Sequence, residues 1–174
     1  MPPADTTLRQ ITDENVCDFG HSAAVFKWLD GLWLEHHTLA EINSCALAAK
    51  LNRDGIAMNV ETLSKEGRRF EADVVALKGY QLFYFSCYSG SDESQAKSKL
   101  FEAVERASQL GGDEARAALV CCADDYPDND RAAKLRKECE SDWLYKTQNQ
   151  IKVFGRSALP DLATKLTNWF TRRS

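Results

Sequence analysis

The residues from Phe70 to Ser89 constrain the fold more than any other stretch of this sequence. They form two runs rich in β-branched and aromatic residues on either side of Lys78-Gly79, a pattern typical of a β-hairpin. Because side chains alternate along a strand, Asp73 shares one face of the first strand with Val75 and Leu77. A carboxylate in such surroundings is costly to bury unless a partner compensates it. The hairpin therefore predicts a polar or ionic partner for Asp73.

Length and charge limit the class of protein. The chain has 174 residues and a formal net charge of −4, which suits one domain with a sizeable core. We expect a polar lead-in at residues 1–20 and a single domain at residues 21–174. The acidic balance excludes a surface that is basic throughout, although a local basic patch for nucleic acid remains compatible with it.

The lack of a recognisable targeting signal and the pattern of cysteines predict a cytoplasmic protein with no membrane partner. No apolar run approaches the ~20 residues of a membrane-spanning helix, and the N-terminus lacks the pattern of a secretory signal. The six cysteines include no C-x-x-C pair. Buried free thiols therefore explain them better than disulfides or zinc do.

The order of predicted elements indicates an α/β fold built on a mixed β-sheet flanked by helices on both faces. A helix from about Ser22 is interrupted at Gly31 and continues to Ala49. Further helices are expected at 94–110, at about 131–139 after a loop and cap at 126–130, and at 160–170. Further strands are expected at 56–63, 117–122 and 151–154.

One set of residues suggests chemistry. A helix glutamate, a strand aspartate and an acid-x-lysine triplet on the next strand are the constellation of metal-dependent nucleases. Their carboxylates hold one or two Mg²⁺ ions, which activate water and stabilise charge on the phosphate, and the lysine offsets developing negative charge. Glu35 and Asp73 are candidates for the first two members, but the place of the triplet holds Ser86-Cys87-Tyr88.

Four stretches make the sequence resemble a known family: Gly31-Leu32-Trp33-Leu34-Glu35, Glu71-Ala72-Asp73-Val74-Val75, Leu82 to Ser89, and Leu110-Gly111-Gly112. They are similar to Gly-x-Trp-Leu-Glu, Glu-x-Asp-Val, Leu-x-x-x-Glu-Cys-Lys-Thr and Leu-Gly-Gly in the nuclease domain of the CRISPR-associated CARF-fused nucleases. That family belongs to the PD-(D/E)XK restriction-endonuclease-like superfamily. The resemblance implies a restriction-endonuclease-like fold, a role in antiviral defence, and an Mg²⁺ or Mn²⁺ site at Glu35, Glu71 and Asp73. It also implies nucleic acid as a ligand, and a homodimer or a sensor domain as partner.

Two positions depart from the family's pattern at its catalytic motif. Ser86 replaces the second metal-binding carboxylate, and a neutral hydroxyl is a poor ligand for hard divalent cations. Tyr88 replaces the catalytic lysine, and tyrosine carries no positive charge at neutral pH. We therefore expect a catalytically impaired pseudoenzyme that binds nucleic acid or serves as a structural or regulatory module, with no metal.

Two other classes of function remain open. One is an active Mg²⁺- or Mn²⁺-dependent endonuclease in which Lys97, Lys99 or Glu102 on the following helix supplies the missing group. The other is a protein-interaction module that has merely inherited the fold. Salt-sensitive binding without cleavage would support the nucleic-acid-binding module, because phosphate contacts weaken with salt.

Several other residues have structural interpretations that we favour over functional ones. His36 and His37 beside Glu35 suggest zinc, but consecutive helical residues point about 100° apart and do not face one ion together. Cys87 beside a histidine suggests a thiol nucleophile, although packing explains it better. The basic residues that could contact phosphate are interpreted by default as a solvated surface: Arg68, Arg69, Lys97, Lys99, Arg131, Lys134, Arg136 and Lys137. The tryptophans are interpreted as packing residues of the core or an interface: Trp28, Trp33, Trp143 and Trp169.

Overall fold

A computed structural model of the chain describes residues 22–63, 69–90, 92–123, 125–126, 129–142 and 150–172. The helices are α1 (Ser22–Lys27), α2 (Trp33–Ala49), α3 (Glu93–Gly111), α4 (Arg131–Asp142) and α5 (Leu162–Thr171), with a π-helical segment at Trp28–Leu32. The strands are β1 (Ile56–Leu63), β2 (Arg69–Lys78), β3 (Gln81–Tyr88), β4 (Arg116–Cys121), β5 (Asp125–Tyr126), β6 (Asn129–Asp130) and β7 (Ile151–Phe154). The expected lead-in at residues 1–20 and Trp143 lie outside the described residues.

Five of the strands form one mixed sheet in the order β1-β2-β3-β4-β7, and β5 pairs with β6 in a separate ribbon. The first three strands are an antiparallel meander, while β4 and β7 run parallel to β3. Lys78 pairs with Gln81 across a two-residue turn in which Gly79 has a φ of 60°, a left-handed conformation that glycine adopts without steric cost. The predicted hairpin is confirmed.

The two faces of the sheet pack against different helices. Val74, Phe83 and Phe85 project into a core that they share with α2 and α5. Leu82 and Tyr84 project the other way, into a core with residues of α3 and α4, as the alternation of side chains along a strand requires. The structure confirms the predicted α/β architecture, a mixed sheet with helices on both faces.

The interruption predicted at Gly31 takes the form of a kink between α1 and α2. Gly31 has a φ of 152° within the π-helical segment, a backbone conformation that residues other than glycine rarely adopt. A Cβ atom at this position would lie 3.2 Å from the Ser89 Oγ. The Ser89 hydroxyl donates a hydrogen bond of 2.8 Å to the Asp30 carbonyl, so the kink is tied to the end of β3.

The C-terminal part differs from expectation in its details. A 3₁₀ segment at Arg156–Asp161 contains Pro160, and α5 begins only at Leu162. Because proline lacks an N–H group, it fits the lead-in to the helix without leaving a donor unpaired. The segment expected as a loop and cap near Tyr126 contributes instead to the β5–β6 ribbon. None of the helices among the described residues has both the length and the apolarity that a membrane span requires.

Candidate functional site

Asp73 lies where β2 and β3 separate. The ladder between the two strands runs from Lys78 and Gln81 to Val74 and Phe85 and is not continued at Asp73. The Asp73 Oδ2 there accepts hydrogen bonds from the Cys87 backbone N–H (2.6 Å) and from the Ser86 Oγ (3.1 Å). The partners that the hairpin sequence required for this carboxylate are therefore a backbone amide and a hydroxyl on the neighbouring strand.

The opposite neighbour of Asp73 is also irregular. In β1, Met58 pairs with Val74 and Val60 with Ala72, which places Asn59 across from Asp73. Asn59 has a φ of 53°, a left-handed conformation that asparagine adopts more readily than most residues. The strands on both sides of Asp73 thus depart from regular pairing at the position that carries the carboxylate.

Glu35 extends the site from the first turn of α2, where its side chain is half-buried. Burial raises the pKa of the Glu35 carboxyl above its ordinary value, and the negative charges of Asp73 and Glu71 raise it further. Lys99 and Lys27 act in the opposite direction. The structure therefore brings Asp73 and Glu71 within electrostatic reach of Glu35; we call these three residues the carboxylate cluster.

Ser86 and Tyr88 are neutral side chains that contribute no charge to the carboxylate cluster. The Ser86 side chain is 8% exposed, and its hydroxyl donates to Asp73. The Tyr88 hydroxyl lies 3.5 Å from the Gln95 Oε1 on α3, and a Cβ atom on Gly90 would lie 2.6 Å from the Tyr88 Cζ. The Tyr88 ring therefore lies between Gly90 and α3. The two residues supply neither the carboxylate nor the ammonium that the family resemblance implies at these positions.

The two lysines of α3 point in different directions. The Lys97 Nζ forms an ion pair of 3.1 Å with Glu138 on α4 and lies 5.6 Å from the centre of the Phe101 ring. Lys99 instead lowers the pKa of Glu35 and opposes the rise in the pKa of Cys87. Residues two apart on a helix point about 200° apart, so only one of the two faces the cluster. That lysine is Lys99, whereas the candidate Lys97 lies against α4.

Glu102 also acts on this region, from one turn further along α3. Its charge contributes, with Asp73 and Glu71, to raising the pKa of the Tyr84 hydroxyl, for which burial is the largest cause. The Glu102 carboxylate pairs with Arg106 at 3.7 Å, and the Arg106 guanidinium lies 4.4 Å from the centre of the Phe70 ring. Glu102 therefore takes part in a surface ion pair at the edge of the site.

The cluster does not meet the requirements of the Mg²⁺ or Mn²⁺ site implied by the resemblance. Within the described part of the chain, no three His, Cys, Asp or Glu side chains are grouped so that they could hold a metal ion. The Ser86 hydroxyl donates a hydrogen bond to Asp73, and hard divalent cations favour carboxylate oxygens over neutral ones. The residues present at the carboxylate cluster therefore do not fit an Mg²⁺ or Mn²⁺ ion.

The contacts of Cys87 and of the two histidines also have structural explanations. The Cys87 Sγ is buried 3.5 Å from the Thr38 Oγ1, and burial raises the pKa of this thiol, which keeps it from acting as a nucleophile. The His37 Nε2 lies 3.1 Å from the Leu159 carbonyl, and the His36 ring contacts Trp28 at 5.1 Å. The two histidines thus have separate surroundings, and neither indicates zinc.

Lys27 is a member of the site that sequence reasoning did not identify. It acts on the pKa of Glu35 from the end of α1, on the other side of the kink at Gly31. A straight helical pattern assigns the wrong face to a residue beyond such a kink, so no signal in the sequence places Lys27 beside Glu35. Among the expected basic residues, Lys134 pairs with Glu93 at 2.7 Å, as a solvated surface would have it.

No protein-family model and no curated protein matches the chain. Among solved structures, it is similar to protein VC1899 from Vibrio cholerae, with 22% sequence identity and a TM-score of 0.61, over 92% of this chain and 36% of that one. It is also similar to Can2 from Sulfobacillus thermosulfidooxidans, solved in complex with cyclic tetra-adenylate, with 15% identity and a TM-score of 0.63, over 84% of this chain and 37% of that one. The chain thus spans little more than a third of either protein. At these identities the likeness is one of fold, consistent with a restriction-endonuclease-like architecture.

Proposed function

We propose that this chain is a nuclease-like domain with impaired chemistry, which binds nucleic acid without cutting it efficiently. The observation that carries the proposal is the contact between the Ser86 hydroxyl and the Asp73 carboxylate. It occupies the strand position at which an active member of the resembled family would have its second carboxylate. With Tyr88 turned toward Gln95, the chain also lacks a cation at the position of the usual lysine.

The ligand class follows from two considerations. The fold is similar to that of Can2, which was solved with a cyclic oligonucleotide bound, and such a ligand is a chain of phosphodiesters. Lys27 and Lys99 lie within electrostatic reach of Glu35 and offer positive charge beside the cluster. Since contacts between lysines and phosphates weaken as salt rises, we expect binding that falls with increasing ionic strength. A homodimer, or a sensor domain in the same protein, is the partner that the family resemblance implies.

The direct test is incubation of the protein with single- and double-stranded DNA and RNA in the presence of Mn²⁺, followed by gel analysis and fluorescence anisotropy. We expect no cleavage and salt-sensitive binding. Lys99→Gln should weaken binding severalfold through the loss of one phosphate contact, whereas the exposed Lys137→Gln serves as the matched control. Cleavage that Asp73→Ala abolishes would overturn the proposal. Absence of both cleavage and binding would instead favour a protein-interaction module.

A restored motif offers a second test. We expect the double variant Ser86→Glu with Tyr88→Lys to gain Mn²⁺-dependent cleavage, on the order of 10²-fold or more above the unmodified chain, because it recovers both an anionic oxygen donor and a positioned cation. Each single variant should remain near background. Circular dichroism and thermal unfolding establish that the double variant is folded. A folded double variant without cleavage would mean that other losses disable the site.

The second candidate function is an active nuclease in which Lys99 replaces the missing lysine. The effect of Lys99 on the pKa of Glu35 favours it. The two lysines of α3 provide the test, because Lys97 pairs with Glu138 instead. If the unmodified chain cuts nucleic acid, Lys99→Met should abolish the activity and Lys97→Met should leave it intact. Equal loss in both variants would exclude this mechanism.

A further inference from the structure

Trp28, at the start of the π-helical segment, is an exposed aromatic residue. Its side chain is 43% exposed, so it does not pack in the core. The Trp28 ring contacts the ring of His36, a residue that is also exposed, with the ring centroids 5.1 Å apart and a tilt of 41° between the ring planes. An indole that is held by one ring contact and open to solvent elsewhere is suited to receive a second flat ring.

This aromatic pair borders the carboxylate cluster. His36 directly follows Glu35 in α2. The kink between Trp28 and His36 is tied to the end of β3 by the hydrogen bond from Ser89 to the Asp30 carbonyl, and β3 is the strand that supplies the hydrogen-bond donors of the cluster. A strand of nucleic acid that lies along the cluster therefore passes close to the Trp28 ring.

Trp28 stands apart from the other apolar residues of its segment. Phe26 and Leu29 line a cavity of about 430 Å³ with Lys27 and Asp30, whereas Trp28 is not part of that lining. Residues two apart on a helix point about 200° apart, so Phe26 and Trp28 face different sides. The indole thus offers a ring surface of its own and is not part of a continuous apolar groove.

The exposed apolar area of the segment is small for an interface with a second copy of the chain. Phe26, Trp28 and Leu29 are 53%, 43% and 39% exposed, and at up to about 250 Å² for an aromatic side chain they offer about 300 Å² together. A stable protein interface buries about 800 Å² on each partner. One or two flat rings match the available area better than a protein surface does.

We propose that Trp28, backed by His36, is a stacking site for an unpaired base of single-stranded nucleic acid. This inference rests on the function proposed above, which supplies nucleic acid as the class of ligand. Every base has a flat face that stacks on an aromatic ring, whereas the bases inside a duplex already stack on one another. The contact requires no cation and no metal ion, so it selects unpaired strands in a way that contacts with phosphate do not.

Fluorescence anisotropy of the full chain tests the inference with three labelled probes: single-stranded decathymidylate, a strand of the same length with abasic sites throughout, and a duplex of the same length. We expect Trp28→Ala to weaken binding of decathymidylate at least about fivefold, the lower end for the loss of one base–aromatic stack. Binding of the abasic strand and of the duplex should be unchanged, because neither exposes an unpaired base. Trp28→Phe keeps a flat ring and should retain most of the affinity.

Two further variants serve as matched controls. Tyr80 is a fully exposed aromatic residue in the turn before β3, at the end of that strand opposite to Ser89. Phe26 is exposed on the other side of the same segment as Trp28. Tyr80→Ala and Phe26→Ala should both leave binding of decathymidylate unchanged, and circular dichroism with thermal unfolding verifies that every variant is folded.

Several results would overturn the inference. They are an unchanged affinity in Trp28→Ala, the same loss on the abasic strand as on decathymidylate, or an equal loss in Phe26→Ala, which would make the segment a general apolar surface. In sedimentation velocity, a dimer of the unmodified chain that Trp28→Ala dissociates would assign the residue to a second copy instead. If the unmodified chain binds none of the probes, the proposed function fails together with this inference; if it binds decathymidylate and the abasic strand equally, only this inference fails.

Discussion

The two ends of the parallel strands differ in how their charged side chains are compensated. At the end where β4 begins, the Arg116 side chain is 1% exposed and donates to the carbonyls of Trp169 (2.8 Å) and Arg172 (2.7 Å) at the end of α5. Its guanidinium also lies 5.4 Å from the centre of the Phe83 ring. At the other end, Glu35 is half-buried beside the negative charges of Asp73 and Glu71.

The difference separates a charge that is compensated within the fold from like charges that oppose one another. Cations near a helix C-terminus satisfy carbonyls that have no partner within the helix, and the Lys78 Nζ does so as well, at 2.7 Å from the Phe170 carbonyl. The buried arginine is compensated within the fold. At the carboxylate cluster, burial and then the negative charges of Asp73 and Glu71 raise the pKa of Glu35, and groups with perturbed pKa values gather at functional sites.

The largest expected effect comes from the compensated end. Arg116→Met removes two charged hydrogen bonds and should lower the free energy of unfolding by about 3 kcal/mol, a fall in Tm of about 9 °C. Thermal and urea unfolding measure it, with Lys137→Met as the exposed control. A loss no greater than that of the control would mean that solvent satisfies the α5 carbonyls equally well, and the contrast between the two ends would disappear.

A smaller effect is expected at Asp73, where two variants separate hydrogen bonding from charge. Asp73→Ala leaves the Cys87 N–H and the Ser86 hydroxyl without their acceptor and should cost about 1–2 kcal/mol. Asp73→Asn keeps an oxygen acceptor and removes a charge that opposes ionisation of Glu35, so its stability should match or exceed that of the unmodified chain. Urea unfolding at pH 7 compares them, and equal losses would indicate that the charge itself stabilises this end.

The sequence predicted the carboxylate end better than the arginine end, for a physical reason. Asp73 stands out because local alternation places it among apolar residues, and its partners lie on the next strand of the same hairpin. Arg116 sits beside a short apolar run that was expected to begin at Ala117, and its partners lie more than fifty positions away on α5. No local pattern reports such a contact.

The site itself was predictable only in part. The acidic positions Glu35 and Asp73 follow from motifs, and the structure brings them into electrostatic reach of each other. The choice between Lys97 and Lys99 depends on the rotation of α3 about its axis, which is fixed by packing against β3 and β4. A helix boundary that is uncertain by one or two residues leaves that rotation undetermined.

The smallest expected effect sharpens the comparison through its dependence on pH. The pKa of Glu35 is raised in the folded chain above its ordinary value of 4.5. Below that value the carboxyl is protonated in both states, and as pH rises through the folded pKa, ionisation costs more in the folded state, so stability is lost. Glu35→Gln should therefore raise stability at pH 7.5 by about 0.5 kcal/mol, since half-exposed charges interact weakly, and by almost nothing at pH 4. Urea unfolding at the two pH values measures the gain, with exposed Glu61→Gln as control; a gain independent of pH would show that packing, and not like charge, distinguishes the carboxylate end.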